Sequence, residues 1–281
     1  MTDCAKIGGM KVWNAAKIMA SKGVARLPCV TVYDFAFARL ADAAGIPLLL
    51  VGDSLGMAVL GHASTLPVTM SDMLHHTAAV ARGTVSALVV ADMPFLSYQV
   101  SISEALRNAG RFLQEAGADA VKVEGGAYRA ELVRTLVQNG IPALGHIGLT
   151  PQSCNVIGGY KVQGKTRADA DRLIADGEAL AAAGVFAIIL ECVPPDIAAA
   201  VTASVPVPVI GIGAGSACDG QILVMHDLLG LTSGRSPKFV KAYADLAGTV
   251  CGAFAAYAKE VREGVYPASE HTYAPVGAEQ T

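Results

Sequence analysis

The sequence predicts an α/β protein built as a (β/α)8 barrel, and three observations carry that reading. A short apolar run that ends in a polar residue recurs about eight times along the 281 residues. These runs are apolar throughout instead of alternating, as expected of parallel strands covered on both faces. Between them lie Ala-rich amphipathic stretches that stop at Gly. Eight strand–helix units in roughly 250 residues is the size of a (β/α)8 barrel. A doubly wound open sheet is the alternative.

The elements follow in order. Pro28 to Tyr33 reads as the first strand, and Asp34 can cap the helix of FAFARLADAA. Ala43-Ala44-Gly45 then leads into IPLLLVGD, whose run Leu48 to Val51 is bounded by Pro47 and Gly52. Ala87 to Asp92 is the third strand. Ser101 and Glu104 have capping-box spacing before ALRNAGRFLQEA. Gly117, Gly140 and Gly184 each close a helix ahead of ADAVKVEG, IPALGHIG and VFAIILEC. Gly just past a helix accepts the left-handed conformation there. Val205 to Gly211 and Ile222 to His226 complete the series, and Ser236 to Glu263 reads as a terminal helix. Two connections are long, Leu55 to Val68 and Gly148 to Lys165, as binding loops tend to be. The expectation is a single barrel domain over 1–281, with a short N-terminal lead helix and a loose tail after about 269.

Composition narrows the function classes. The chain is 53% hydrophobic and 16% charged, which implies a large core and a surface partly covered by self-association. The longest uncharged apolar run, Ala179 to Leu190, is too short for a membrane span. MTDCAKIGGMKVWNAAK lacks the apolar middle of a signal peptide. Cys4, Cys29, Cys154, Cys192, Cys218 and Cys251 show no CxxC spacing and read as reduced thiols of a cytoplasmic protein. A net charge of -3 without a basic run argues against nucleic acid.

The strand ends carry the chemistry. In order they present Tyr33 and Asp34, Asp53 and Ser54, Asp92, Lys122 and Glu124, His146, Glu191, the Gly211–Gly215 run and His226. In a barrel these ends converge on one face, where the active site lies. Lys122 and Glu124 are two apart on one strand and point to the same side. Several carboxylates meeting there repel one another, and a hard cation relieves that. The cluster has no cysteine pair and one well-placed His, which favours Mg²⁺ over Zn²⁺. Mg²⁺ takes one or two carboxylates plus substrate oxygens. A substrate that chelates through two oxygens, such as a 2-oxo acid, suits this set.

Seven motifs then point to a family. VGDSLGMAVLGHASTLPVT, ADMPF, VKVEGG, GHIGLTPQS, GGYKVQG, LECVP and GIGAGSACDGQILVMHD, in that order from about Thr31 to Tyr266-Pro267, resemble those of the ketopantoate hydroxymethyltransferase family. The resemblance implies a TIM barrel of the phosphoenolpyruvate/pyruvate superfamily. It also implies transfer of a hydroxymethyl group from 5,10-methylenetetrahydrofolate to 3-methyl-2-oxobutanoate through a Mg²⁺-stabilised enolate. The product is 2-dehydropantoate, on the route to pantothenate. Carried over by motif, Asp53 and Asp92 bind Mg²⁺ and touch substrate, and Glu124 completes the metal site. Ser54 and Lys122 hold the oxo acid, His146 lies beside it, and Glu191 is the base. A homo-oligomer, commonly a decamer, is implied as well. The first strand reads TVYD where the family commonly has TAYD. The KKCGH loop of isocitrate-lyase-like barrels is absent.

Other residues have plainer readings. His75 and His76 suit packing or surface roles, and His62 sits in a loop that could reach substrate or folate. His226 and Asp227 fit either the site or a tie for the last strand. The GIGAG run reads as close packing under the substrate, and Gly158 to Gly164 as a flap. Cys154, Cys192 and Cys218 lack a partnering base, which disfavours thiol catalysis.

Overall fold

The computed structural model describes residues 11–232, 234 and 237–274. Cys4 and the end of the tail lie outside the described residues.

Eight strands close into a barrel in sequence order, every neighbouring pair parallel. They are β1 (Leu27–Thr31), β2 (Leu48–Val51), β3 (Leu88–Asp92), β4 (Ala120–Glu124), β5 (Ala143–Gly148), β6 (Ala187–Glu191), β7 (Val209–Ile212) and β8 (Gly220–Leu223). This is the expected fold. Three strands differ in extent from the sequence reading by more than one residue. β1 ends at Thr31, not Tyr33, so Tyr33 lies in the connection before the helix Phe35–Ala43. β7 starts at Val209, not Val205, because Pro206 and Pro208 have no N–H to give to a ladder. β8 is Gly220–Leu223, so His226 lies on the short helix Met225–Leu228 and not at a strand end.

The caps behave as the sequence chemistry requires. Asp34 accepts the Phe37 N–H at 2.9 Å. Ser101 accepts the Glu104 N–H at 3.2 Å, one of the two bonds of the capping box that their spacing suggests. Gly45, Gly117, Gly140 and Gly184 all take positive φ, so each turns the chain from helix to strand without Cβ strain. The terminal helix runs Leu246–Glu263, capped by Asp245.

Alternate residues fill the barrel. Leu27, Leu48, Leu50, Leu88, Val90 and Leu144, with their neighbours on β6–β8, form one buried cluster. The short helix Ala15–Met19 plugs the N-terminal end, where Ile18 joins that cluster and Trp13 packs against it. The apolar layers stop where Asp92, Lys122, Glu124, His146 and Glu191 continue the same inward period on β3 to β6.

The chain divides into two compact units. One is Met1–Met225 with Pro237–Val240, which contains the whole barrel. The other is His226–Ser236 with Lys241–Thr281, and its main element is the helix Leu246–Glu263.

Candidate active site

Strand register assembles the site before any loop contributes. Asp92 lies opposite Lys122 across β3–β4, and Glu124 lies opposite His146 across β4–β5. The side chains connect accordingly. Lys122 Nζ stands 2.9 Å from Asp92 Oδ1, 3.5 Å from Glu124 Oε1 and 3.1 Å from His146 Nδ1. His146 Nε2 is 3.2 Å from Glu191 Oε2 at the end of β6. A chain of charged groups, buried as far as His146 and half-buried at Glu191, thus runs from β3 to β6.

Asp53 enters from the turn after β2. Its backbone N–H donates to Asp92 Oδ2 at 3.1 Å, and its own Oδ2 accepts from Gln152 Nε2 at 2.9 Å. Ser54 shares a hydrogen bond of 2.9 Å with the Tyr33 hydroxyl. Tyr33 in turn accepts from Thr31 Oγ1 at 2.7 Å. All seven residues named for the site therefore belong to one face of the barrel, and six of them are joined through Lys122 and Asp92.

The electrostatics are those of a charge excess in low dielectric. Burial, then repulsion from Asp92 and Glu124, holds the Asp53 carboxyl well above the usual carboxylate range. Burial also raises Asp92, against the opposing pull of Lys122. Burial pushes Glu124 the same way, but Lys122 and His146 outweigh it and its carboxyl is lowered. Burial and Lys122 disfavour a charged His146, yet its bonds to Glu124 and Glu191 prevail and lift it to about 9. Lys122 stays firmly protonated despite burial, because three carboxylates face it.

Among the described residues no group of three or more His, Cys, Asp and Glu side chains is arranged to hold a metal ion. Glu124 is engaged by Lys122 and by the Gln152 N–H at 3.1 Å. The donor chemistry still fits a hard cation. Asp53 and Asp92 offer neighbouring carboxylate oxygens whose ionised forms are mutually unfavourable without added positive charge.

Two participants had no role in the sequence reading. Gln152 lies within GHIGLTPQS, but nothing in its charge marks it. Tyr98 lies on the loop after β3 and is bonded to both Gln152 and Glu124. Only the closing of the barrel brings these loops together. His76 and the GIGAG run show packing contacts. His76 Nδ1 bonds the Tyr33 carbonyl at 2.7 Å. In GIGAG, a Cβ at Gly213 would meet the Phe239 ring at 2.7 Å and one at Gly215 would meet Pro195 at 2.8 Å, which is close packing. In the loop Gly158 to Gly164, the Tyr160 hydroxyl donates to Met57 Sδ at 3.6 Å.

The profile of the ketopantoate hydroxymethyltransferase family matches residues 13–269. The chain belongs to that family. A 3-methyl-2-oxobutanoate hydroxymethyltransferase of Moorella thermoacetica is 56% identical over 88% of this chain and 92% of its own length. The barrel also resembles a 2,3-dimethylmalate lyase described as a phosphoenolpyruvate mutase/isocitrate lyase superfamily member. That likeness has a TM-score of 0.59 at 18% identity, over 92% of each chain. A phosphoenolpyruvate phosphomutase from Streptomyces platensis subsp. rosaceus gives 0.58 at 17%, over 93% of this chain and 92% of the other. At that identity the structural likeness speaks for the fold alone. It is the fold the strand pattern predicts. No helix among the described residues is long and apolar enough to cross a membrane.

Proposed function

We propose that this hydroxymethyltransferase moves a one-carbon unit from 5,10-methylenetetrahydrofolate to 3-methyl-2-oxobutanoate in the cytoplasm, giving 2-dehydropantoate for pantothenate synthesis. The observation that carries the reading is the continuous chain Asp92–Lys122–His146–Glu191, buried up to the half-buried Glu191, with Asp53 at its head. Asp53 and Asp92 would hold Mg²⁺, with Glu124 behind them. Once bound, the ion draws charge from the keto oxygen and carboxylate of the oxo acid and so acidifies the C3 proton.

The protein's own groups do the rest. Lys122 donates toward the same developing charge, and Ser54 orients the oxo acid from the β2 side. Glu191 accepts the C3 proton, at the rim where the apolar strand Ala187–Glu191 ends. His146 holds Glu191 in place through its 3.2 Å contact. Water adds to the folate's one-carbon unit and both of its C–N bonds break, which leaves an aldehyde-level carbon and returns protons to the two nitrogens of tetrahydrofolate. The C3 electron pair attacks that carbon, and the proton held by Glu191 goes to the new alkoxide. Burial of Asp53, Asp92, Lys122 and His146 keeps bulk water from quenching the carbanion early.

The decisive test is loss of the C3 proton of 3-methyl-2-oxobutanoate in deuterated water without folate, followed by NMR. Exchange that needs both protein and divalent metal is expected. No exchange, or exchange indifferent to chelator, overturns the mechanism. Self-association as a homo-oligomer, a decamer on the family pattern, belongs to the same proposal. Its support is the helix Leu246–Glu263, which exposes Val250, Phe254, Tyr257 and Val261 and buries none of its residues in the single chain. Sedimentation analysis checks it, and a monomer overturns it.

A further inference from the structure

Gln152 stands on the short turn Pro151–Ser153 in the loop after β5, 5% exposed. A side-chain amide has two hydrogens to give and two lone pairs to fill. Here all four are used. Nε2 donates to Asp53 Oδ2 and to the Met93 carbonyl, each at 2.9 Å. Oε1 accepts from the Tyr98 hydroxyl at 2.7 Å and from Gln99 Nε2 at 3.2 Å. The amide has one workable orientation. Turned over, its oxygen would face a carboxylate and a carbonyl, both acceptors. Tyr98 is fixed in the same sense, because its oxygen already accepts the Glu124 N–H at 3.2 Å and its proton is left for Gln152.

The same residue reaches the far acid by another route. Its backbone N–H donates to Glu124 Oε2 at 3.1 Å. One residue therefore grips Asp53 with its side chain and Glu124 with its main chain, and ties both to the end of β3 through Met93. It does so without charge. A Lys or Arg here would neutralise the carboxylates and compete with a metal ion. A neutral donor fixes one oxygen of Asp53 and leaves the carboxylate's charge for a cation.

We infer that Gln152 is a positioning residue that orients the Asp53 carboxylate, and sets its spacing from Glu124, for the incoming cation and oxo acid. The inference rests on the metal-dependent reading of this site. Groups that orient metal ligands typically matter 10–100-fold in metal affinity or activity.

The test uses Gln152→Met, which keeps length and bulk and loses the amide. Mn²⁺ is titrated into chelator-treated protein with 3-methyl-2-oxobutanoate present, and free Mn²⁺ is followed by electron paramagnetic resonance. The variant is expected to bind Mn²⁺ about 10–100-fold more weakly than the wild type. Tyr98→Phe, which removes the hydroxyl that braces Oε1, is expected to show a smaller loss in the same direction. A purely structural role would lower the unfolding temperature and leave the Mn²⁺ affinity alone. Equal affinity of Gln152→Met and wild type overturns the inference and leaves the metal reading intact. A wild type that takes up no Mn²⁺ overturns both. If Gln152→Met does not fold, Tyr98→Phe decides, and unchanged affinity in that variant overturns the inference.

Discussion

The two ends of the barrel use aspartate in opposite ways. At the N-terminal end, Asp42 accepts the N–H groups of Val85, Ser86 and Ala87, the last at 2.7 Å. Asp119 accepts the Val89 N–H at 2.8 Å and pairs with Lys11 at 2.6 Å. Asp219 accepts the Val209 N–H at 2.9 Å and pairs with Lys22 at 2.8 Å. Each of these carboxylates is compensated on the spot, by donors the strand starts must satisfy anyway. At the C-terminal end, Asp53, Asp92 and Glu124 face one another and share one lysine. Both groups cluster at an end of the barrel, Asp42 from the end of a helix and the others from positions on or beside strand ends. What separates the two groups is the balance of partners. Below, each carboxylate stands alone among backbone N–H groups, joined by a lysine at Asp119 and Asp219. Above, Asp92 and Glu124 also accept backbone N–H groups, but three carboxylates repel one another around a single lysine.

The largest effect that comparison predicts is at Glu191. Glu191→Gln keeps an acceptor for His146 and removes the base, so kcat is expected to fall about 10²- to 10⁴-fold with little change in stability. C3 proton exchange should fall in parallel. Near-normal exchange would assign the proton to another group.

Asp53 sharpens the comparison through stability. Burial and the neighbouring carboxylates raise its folded pKa above its unfolded value, near about 3.9. A raised carboxyl gives stability that is complete below the unfolded value and lost as pH rises through the folded one. Metal-free Asp53→Asn should therefore melt higher than metal-free wild type at pH 7, while losing Mg²⁺ affinity and turnover. A lower melting temperature for the variant would put Asp53 with the lower aspartates.

Asp42→Ala is the converse. It strands the N–H groups of Val85, Ser86 and Ala87 that donate to this carboxylate, and hydrogen bonds to charged groups are each worth about 1.5–3 kcal/mol. A loss of about 2–4 kcal/mol in urea unfolding is expected, with kcat unchanged at permissive temperature. A catalytic defect without a stability defect would break the distinction between the two ends.

How much of this the sequence reveals follows the range of the interactions. The strands, the Gly stops at Gly45, Gly117, Gly140 and Gly184, and the Asp34 cap are local, and each was legible. Convergence of Asp53, Asp92, Lys122, Glu124, His146 and Glu191 was legible too, because closure of a parallel barrel puts strand ends together whatever the loops do. The start of β7 is not legible, because apolar Val205 and Val207 continue the pattern while Pro206 and Pro208 withhold the ladder bonds. Gln152 and Tyr98 could not be read. Their importance lies in contacts across 54 and 28 positions of chain, the first between the two residues and the second from Gln152 to Glu124. The same holds below. Asp42 reaches the start of β3 from a separate helix, and no motif announces it.

The smallest predicted effect tests whether location or partner decides. Asp72 begins the helix Met70–Gly83 after the long β2 loop, away from the charged cluster. Its carboxylate accepts both the N–H and the hydroxyl of Thr69, and those bonds hold its pKa below the usual range. Thr69 accepts the Asp72 N–H in return at 3.2 Å, completing a capping box. A lowered carboxyl gives stability that is present above the unfolded value and lost as pH falls through the folded one. So Thr69→Ala should cost about 0.5–2 kcal/mol at pH 7. The difference from wild type should shrink below about pH 4, where the carboxylate protonates. Asp53→Asn has the opposite pH sense, its advantage growing as pH rises. If both variants showed the same sense, the identity of the partner would not be what governs these carboxylates.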